Sequence, residues 1–253
     1  MKWNNDTHKE FYEYYSKQSE SESMIECCIT TQDTISRAIH QNLGITGSLE
    51  VADIGCGAGT FSAVWAKSGH KVHGIDINQP LLELARQRAE AQALSIDFRV
   101  GSATELPWLD SSMDVCLVPE LLEHVENWQE CISEISRVLK PTGVLYLTTN
   151  NLLCPEQEEF NLPLYSWYPK RLKRKYEHLA KTTRPELAGY AKYPAVNWFS
   201  FYSLRKILKD QGFESMDRFD TVDESKKGVM ALFLLRIIKK VSVVRLLAHI
   251  CTP

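Results

Sequence analysis

No apolar run in the 253-residue chain approaches the length of a membrane-spanning helix: the longest, Val229–Leu235, has seven residues, against the roughly 20 that crossing requires. Met1 to Glu10 lack an apolar signal core, so secretion is not expected. None of the seven cysteines falls in a C-x-x-C spacing, which leaves a zinc ribbon or thioredoxin-type redox site without support. Their odd number fits reduced thiols in a cytoplasmic protein. There is no excess of one charge either. With 29 Lys and Arg against 32 Asp and Glu, the net charge of −3 offers no general basic field for coating nucleic acid. Internal repeats and Gly/Ser linkers are also missing. What remains, at 44 % hydrophobic and 24 % charged residues, is a globular chain large enough for a core without staples.

The texture changes along the chain and divides it into four parts. Residues 1–47 are polar and aromatic, turning helical from about Thr31 to Asn42, and read as a helical cover. Residues 48–150 alternate strand-like and helix-like segments, the pattern of consecutive βα units in a parallel sheet. Strands are expected at Leu49–Ile54, Val72–Asp76, Leu94–Val100, Met113–Pro119 and Gly143–Thr149. Helices are expected at Thr60–Lys67, Pro80–Ala91 and Trp128–Leu139, with Asn78 as N-cap of the second and Pro141-Thr142-Gly143 ending the third. Residues 151–197, rich in aromatics and prolines, read as an inserted cap after the fifth strand. Residues 198–253 read as a return to the core: a helix over Phe199–Gln211, a sixth strand over Phe213–Val222 and a basic, apolar tail helix from Val229 to Ile250. The fold class is α/β, a doubly wound and mostly parallel sheet.

The first strand runs into Asp53-Ile54-Gly55-Cys56-Gly57-Ala58-Gly59-Thr60 and then into a helix, so three glycines let a ligand approach backbone at a helix N-terminus. A dinucleotide fingerprint needs G-x-G-x-x-G, but Thr60 stands where its third glycine belongs. Asp76 ends the second strand 21 positions after Gly55, where a carboxylate accepts the hydroxyls of an adenosine ribose. Asp53 decides between the cofactors that share this feature. A carboxylate there suits an ammonium group and repels a pyrophosphate, which disfavours a nicotinamide-dependent oxidoreductase.

On these residues the sequence resembles the class I S-adenosylmethionine-dependent methyltransferases, in the type 11 and ubiquinone-biosynthesis O-methyltransferase subgroup. Five ordered segments carry the resemblance: Val51–Gly59, Val72–Asp76, Gly101–Pro107, Met113–His124 and Val138–Leu147. It implies S-adenosylmethionine as cofactor, with Gly55, Cys56, Gly57 and Gly59 around the methionine part, Asp53 at its amino end, Asp76 on the ribose and Ile77 on the adenine. Ser102 and Ala103 would flank the adenine, and Pro119 and Glu120 the reacting end. Ser102 departs from the family pattern, which has Asp there, and a neutral contact in place of a charged one weakens cofactor binding by about 1 kcal/mol.

Ligands of open parallel sheets lie beyond the carboxyl ends of the strands, which directs attention to Pro119–His124 and Asn150–Asn151. Glu120, Glu123 and His124 are spaced i, i+3 and i+4, one face of a helix if one begins there. Three roles remain open for them: capping the following helix, with Glu120 on the cofactor; His124 or Glu123 as general base; or a divalent metal held by all three, as the Glu-x-x-Glu-His match to ubiquinone-type enzymes implies. The candidate acceptor residues are Phe11, Tyr14, Tyr15, Asn150, Trp167, Tyr168, Trp198 and Tyr202. Between Lys170 and Lys192 eight Lys/Arg face two acids, and the tail is also basic, so peripheral contact with a membrane is a further expectation. The expected activity is methyl transfer to an oxygen or nitrogen of a small aromatic or amphipathic acceptor. A membrane-associated quinone or lipid O-methyltransferase and a non-catalytic scaffold are the alternatives.

Overall fold

In a computed structural model, which describes residues 12, 15–44, 47–189, 191 and 193–252, five strands form one all-parallel sheet in the order β3-β2-β1-β4-β5. The strands are β1 (Glu50–Ile54), β2 (Lys71–Asp76), β3 (Ile96–Val100), β4 (Met113–Pro119) and β5 (Leu139–Thr148). Val51, Ala52, Asp53 and Ile54 are all buried, as are Val115, Cys116, Leu117 and Val118, the mark of central strands covered on both faces. Alternation then sorts the two faces. Val51, Val115 and Leu117 join Ile35 and Ile39 of helix α1 (Glu22–Leu43) and Trp65 of α2 (Thr60–Lys67) in one cluster. On the other face Cys116 meets Cys131 of α4 (Trp128–Val138), where burial raises both thiols. Helix α3 (Gln79–Ala91) lays Ala85 and Ala89 against Phe98. Gly74 makes that contact possible, because a Cβ there would stand 2.5 Å from Phe98 Cδ1.

Contacts divide the chain into two compact units, Met1–Leu122 with Asn127–Thr148, and Glu123–Glu126 with Thr149–Pro253. Residues 198–253, read from sequence as part of the core, therefore group with the cap. The second unit contains α5 (Lys170–Thr182), α6 (Phe201–Asp210), α7 (Val229–Lys240) and α8 (Ser242–Ile250). Leu179 and Ala180 of α5 pack with Phe160, Tyr165, Leu187 and Ala188 in a buried cluster. Lys173 of α5 is also buried there, its Nζ 4.0 Å from the centre of the Trp198 ring and 5.8 Å from that of Tyr165. Burial pulls the Lys173 ammonium down to about 8, while Glu177 pulls it back up. Because the unfolded chain binds this proton more strongly, stability should rise with pH through the window from about 8 to the ordinary lysine value. Lys173→Met is expected to flatten that rise, by about 1–2 kcal/mol between pH 7.5 and 9.5 in urea unfolding; parallel curves for the two proteins would refute it.

Several sequence expectations are corrected. No strand forms over Phe213–Val222. Asp217 Oδ1 accepts from Phe219 N (2.9 Å) and Asp220 N (3.3 Å), a local turn that competes with sheet pairing. The other Asp217 oxygen holds Arg245 Nε (2.8 Å) and His249 Nε2 (2.9 Å) of α8. The tail is two helices rather than one, broken at the extended Val241. Helix α1 starts nine residues earlier than expected (Glu22 against Thr31), because Ser21 caps it by accepting from Met24 N at 3.2 Å. Pro141-Thr142-Gly143 does not end α4 but lies inside β5, as a bulge between the Met113–Leu139 and Val115–Val144 pairs. Asn78 occupies the N-cap position without capping; its Oδ1 accepts from Tyr12 Oη at 3.2 Å.

Candidate active site

The sheet changes winding direction between β1 and β4, and the glycine loop leaves β1 at this switch point. Gly55, Gly57 and Gly59 have φ of 77°, 52° and 78°, values that side chains disfavour. Gly55 N and Cys56 N both donate to Ile75 O (2.8 and 3.1 Å), while Gly57 N donates to Asp76 Oδ2 at 2.8 Å. The other Asp76 oxygen accepts from Asn78 N at 2.7 Å. Asp76 thus ties the loop to the start of α3 and, since each carboxylate oxygen has two lone-pair sites, keeps capacity for further donors. Burial raises its carboxyl above the usual range, against the pull of those backbone bonds.

Asp53 lies beneath the loop and is fully buried. Ser62 Oγ donates to its Oδ2 at 2.5 Å, whereas Oδ1 has no hydrogen-bond partner among the described residues. Burial pushes the carboxyl up to about 6, the Ser62 bonds oppose this, and the charge of Asp76 adds to it. A buried carboxylate with one oxygen unsatisfied is what a cationic ligand would complete. The rest fits S-adenosylmethionine as well: a turn built on three left-handed glycines, a carboxylate at the end of β2, and Ile77, 52 % exposed, as an apolar surface for a base.

Tyr15 was expected on the acceptor side, but it stands against the glycine loop: a Cβ on Gly57 would collide with its Oη. Burial raises the Tyr15 hydroxyl to about 12, with Asp76, Cys56 and Asp53 adding to the rise. The segment carrying it is clamped by Arg88, whose Nη2 donates to Ser16 O (2.9 Å) and Nη1 to Ser19 Oγ (3.0 Å), with an ion pair to Glu20 at 3.0 Å. Arg88 was not among the sequence candidates. Its position on the exposed-looking face of α3 resembles that of any solvated arginine, so nothing short of the tertiary contact reveals it. Ser102 Oγ is 2.7 Å from Thr104 Oγ1 and accepts from Thr104 N at 3.2 Å, a turn that places Ala103 beyond β3. Pro119 ends β4, and Glu120 follows with φ 46°, an uncommon conformation for this residue type and one that clusters at functional sites. Its N–H donates to Thr148 O at 3.0 Å.

In the second unit, Glu123 and His124 lie in turns before α4, so the expected helical face with Glu120 does not form. Glu123 is fully buried; its Oε2 accepts from Thr149 Oγ1 at 2.9 Å, and its carbonyl accepts from Val196 N (2.8 Å) and Asn197 N (3.0 Å). Among the described residues, the group able to hold a metal is Glu123, His124 and Glu159, with ligand atoms within 4.8 Å of one another, and Glu120 is not part of it. Glu159 had no sequence signal, being one acid in an irregular segment. Asn150 Nδ2 donates to Asn197 O at 2.9 Å. Of the expected acceptor aromatics, Tyr168 and Trp198 come together around Tyr165. Tyr202 instead packs on His249, and Trp167 is exposed with its indole donating to Leu153 O. Phe11 and Tyr14 lie outside the described residues.

The family profile described as "Methyltransferase domain" matches residues 52–147, nearly all of the loop-bearing sheet. A demethylmenaquinone methyltransferase from Tropheryma whipplei is 31 % identical over 181 residues, covering 71 % of this chain and 72 % of that enzyme. A ubiquinone biosynthesis O-methyltransferase from Coxiella burnetii is 34 % identical over 113 residues, 45 % of this chain and 48 % of that one, so the chain spans about half its length. Among solved structures, a SAM-dependent methyltransferase from Methanosarcina mazei is 30 % identical with a TM-score of 0.51, covering 70 % of this chain and 84 % of that one. A putative methyltransferase from Bacillus halodurans, 24 % identical with a TM-score of 0.51 over 72 % and 69 % of the two chains, shares the fold.

Proposed function

Because the chain belongs to the S-adenosylmethionine-dependent methyltransferases, we propose that it methylates a small, ring-bearing acceptor of the quinone-precursor type at an oxygen, the atom given in the name of the ubiquinone biosynthesis O-methyltransferase. The observation that carries the cofactor side is the Asp53 carboxylate, buried under the glycine loop with one oxygen unsatisfied. When bound, the sulfonium of S-adenosylmethionine supplies a methyl group already activated for in-line displacement, which leaves the protein the tasks of orientation and water exclusion. Asp53 would hold the ammonium end, the glycine loop the methionine part, Asp76 the ribose and Ile77 one face of the base. Tyr15, set down on the loop by Arg88, would close over the same ligand and keep water out.

The acceptor class is supported by the names of the relatives, a demethylmenaquinone methyltransferase and a ubiquinone biosynthesis O-methyltransferase, and by the Glu-x-x-Glu-His run that spans Glu120, Glu123 and His124. We assign His124 to removal of the phenolic proton, with Glu123 as the residue that positions it: the Thr149 and 196–197 bonds fix Glu123 and with it the adjoining His124. A second reading, in which a divalent cation is held by Glu123, His124 and Glu159, rests on their convergence.

Thermal unfolding tests the cofactor assignment. S-adenosylhomocysteine at about 100 times its dissociation constant should add about 2.7 kcal/mol, a rise of about 5–10 °C, and NAD at the same concentration should add nothing. A shift with NAD alone would overturn the assignment. Release of S-adenosylhomocysteine on adding a catechol but not an alkylamine would support the acceptor class, and the reverse would sink it.

A further inference from the structure

We propose that helices α7 and α8 seat this protein on an anionic lipid surface, lying in the plane of the headgroups. Val229, Met230, Phe233 and Leu234 of α7 are 86, 74, 59 and 54 % exposed, and Val243, Leu246 and Leu247 of α8 are 67, 39 and 54 % exposed. Spacings of i, i+1, i+4, i+5 on the first helix and i, i+3, i+4 on the second put each set on one face. The opposite sides are already engaged. Leu235 is buried, His249 is buried on Asp217, and Arg245 is paired with Asp217 and Asp220. Large apolar side chains gathered in this way mark an interaction surface rather than the scattered exposure any protein shows.

Charge selects the occupant. Residues 225–253 contain six Lys and Arg and no Asp or Glu, in a chain whose net charge is −3. Lys239 is paired with Glu224, but Arg236 and Lys240 are exposed next to the apolar face and make no ion pair among the described residues. A second copy of the chain on this face would bring like charges together. An anionic bilayer would take the apolar side chains into the headgroup boundary while Arg236 and Lys240 extend to the phosphates. No helix among the described residues is long and apolar enough to cross a membrane, which makes the contact interfacial. The basic stretch in α5 is a weaker candidate, since Lys173 is buried and Lys181 is paired with Glu126. This inference does not depend on the identity of the acceptor.

The test is sedimentation of the full chain with vesicles of phosphatidylcholine alone or with roughly a third phosphatidylglycerol, at about 50 and about 300 mM salt. Binding is expected only to the anionic vesicles, falling about ten-fold at the higher salt. Two double variants should each lose binding by about ten-fold or more, Phe233→Ser with Leu234→Ser, and Arg236→Glu with Lys240→Glu. All four residues are exposed, so the variants should retain the parent melting temperature and S-adenosylhomocysteine affinity. Equal sedimentation with neutral and anionic vesicles, or undiminished binding by either variant, would overturn the proposal. So would a dimer in light scattering that the Phe233/Leu234 variant turns into a monomer while wild-type protein ignores vesicles.

Discussion

Replacing Asp76 with Ala is expected to weaken binding of S-adenosylhomocysteine by about 100-fold, equivalent to about 3 kcal/mol, as read by isothermal titration. The carboxylate accepts from Gly57 N and Asn78 N, so its removal detaches the loop from α3 as well as taking away the acceptor proposed for the ribose. Both N–H groups would then lie unpartnered in a largely buried place, which adds to the loss. Asp76→Asn separates the two contributions. Its amide oxygen can still accept from one backbone N–H, so the loop should survive better than in the alanine variant, while a neutral group on the ribose recovers only part of the affinity. Affinity within two-fold of wild type for the alanine variant would show that the ligand does not sit on this loop.

Asp53→Asn should have opposite effects on stability and on binding. Without ligand, the buried carboxylate is held up to about 6 by burial, with the charge of Asp76 adding to the rise. Its folded value lies above its unfolded one, so the folded protein binds the proton more tightly, and stability declines as pH rises through the window between about 4 and 6. Above that window the ionised group costs about 2–3 kcal/mol, which an amide of the same shape avoids while still accepting from Ser62. At pH 7.5 the ligand-free variant should melt several degrees above wild type, and at pH 4 the difference should vanish. Binding of S-adenosylhomocysteine at pH 7.5 should fall about ten-fold or more, because the ammonium loses its charged partner. A variant that melts lower than wild type at pH 7.5, or binds equally well, would refute the assignment. The pairing of a less stable empty protein with a better ligand site is the usual trade at a preorganised binding position.

Much of the loop-bearing sheet could be read directly from the sequence. Met113–Pro119 and Thr60–Lys67 have the expected bounds, and β1 and β2 differ from expectation by a single residue at one end. These elements are legible because both of their signals are local: apolar runs define strands covered on two faces, and glycine spacing defines a turn that only glycine adopts easily. Asp53, Asp76 and Ile77 are proposed on the same kind of signal, each at a set distance in sequence from that turn. Errors arose where a local signal competes with a neighbour it cannot name. Phe213–Val222 has strand-like residues, but Asp217 bonds its own backbone and is held by Arg245 and His249 from α8. The Glu120, Glu123 and His124 spacing suits a helix face, yet the backbone turns at Glu120 and α4 begins only at Trp128.

The sequence by itself therefore determined the parallel α/β class, the glycine loop and the two aspartates that suit a sulfonium nucleoside, since each follows from periodicity or short-range spacing. Tertiary structure alone decided that Tyr15 belongs to the loop, that Arg88 holds it there, that Glu159 joins Glu123 and His124, and that the tail is two helices with an exposed apolar face. The physical reason is common to all four. Each depends on which side chains meet across tens of residues of chain, and burial or exposure of that kind is a property of packing, which no window of sequence contains.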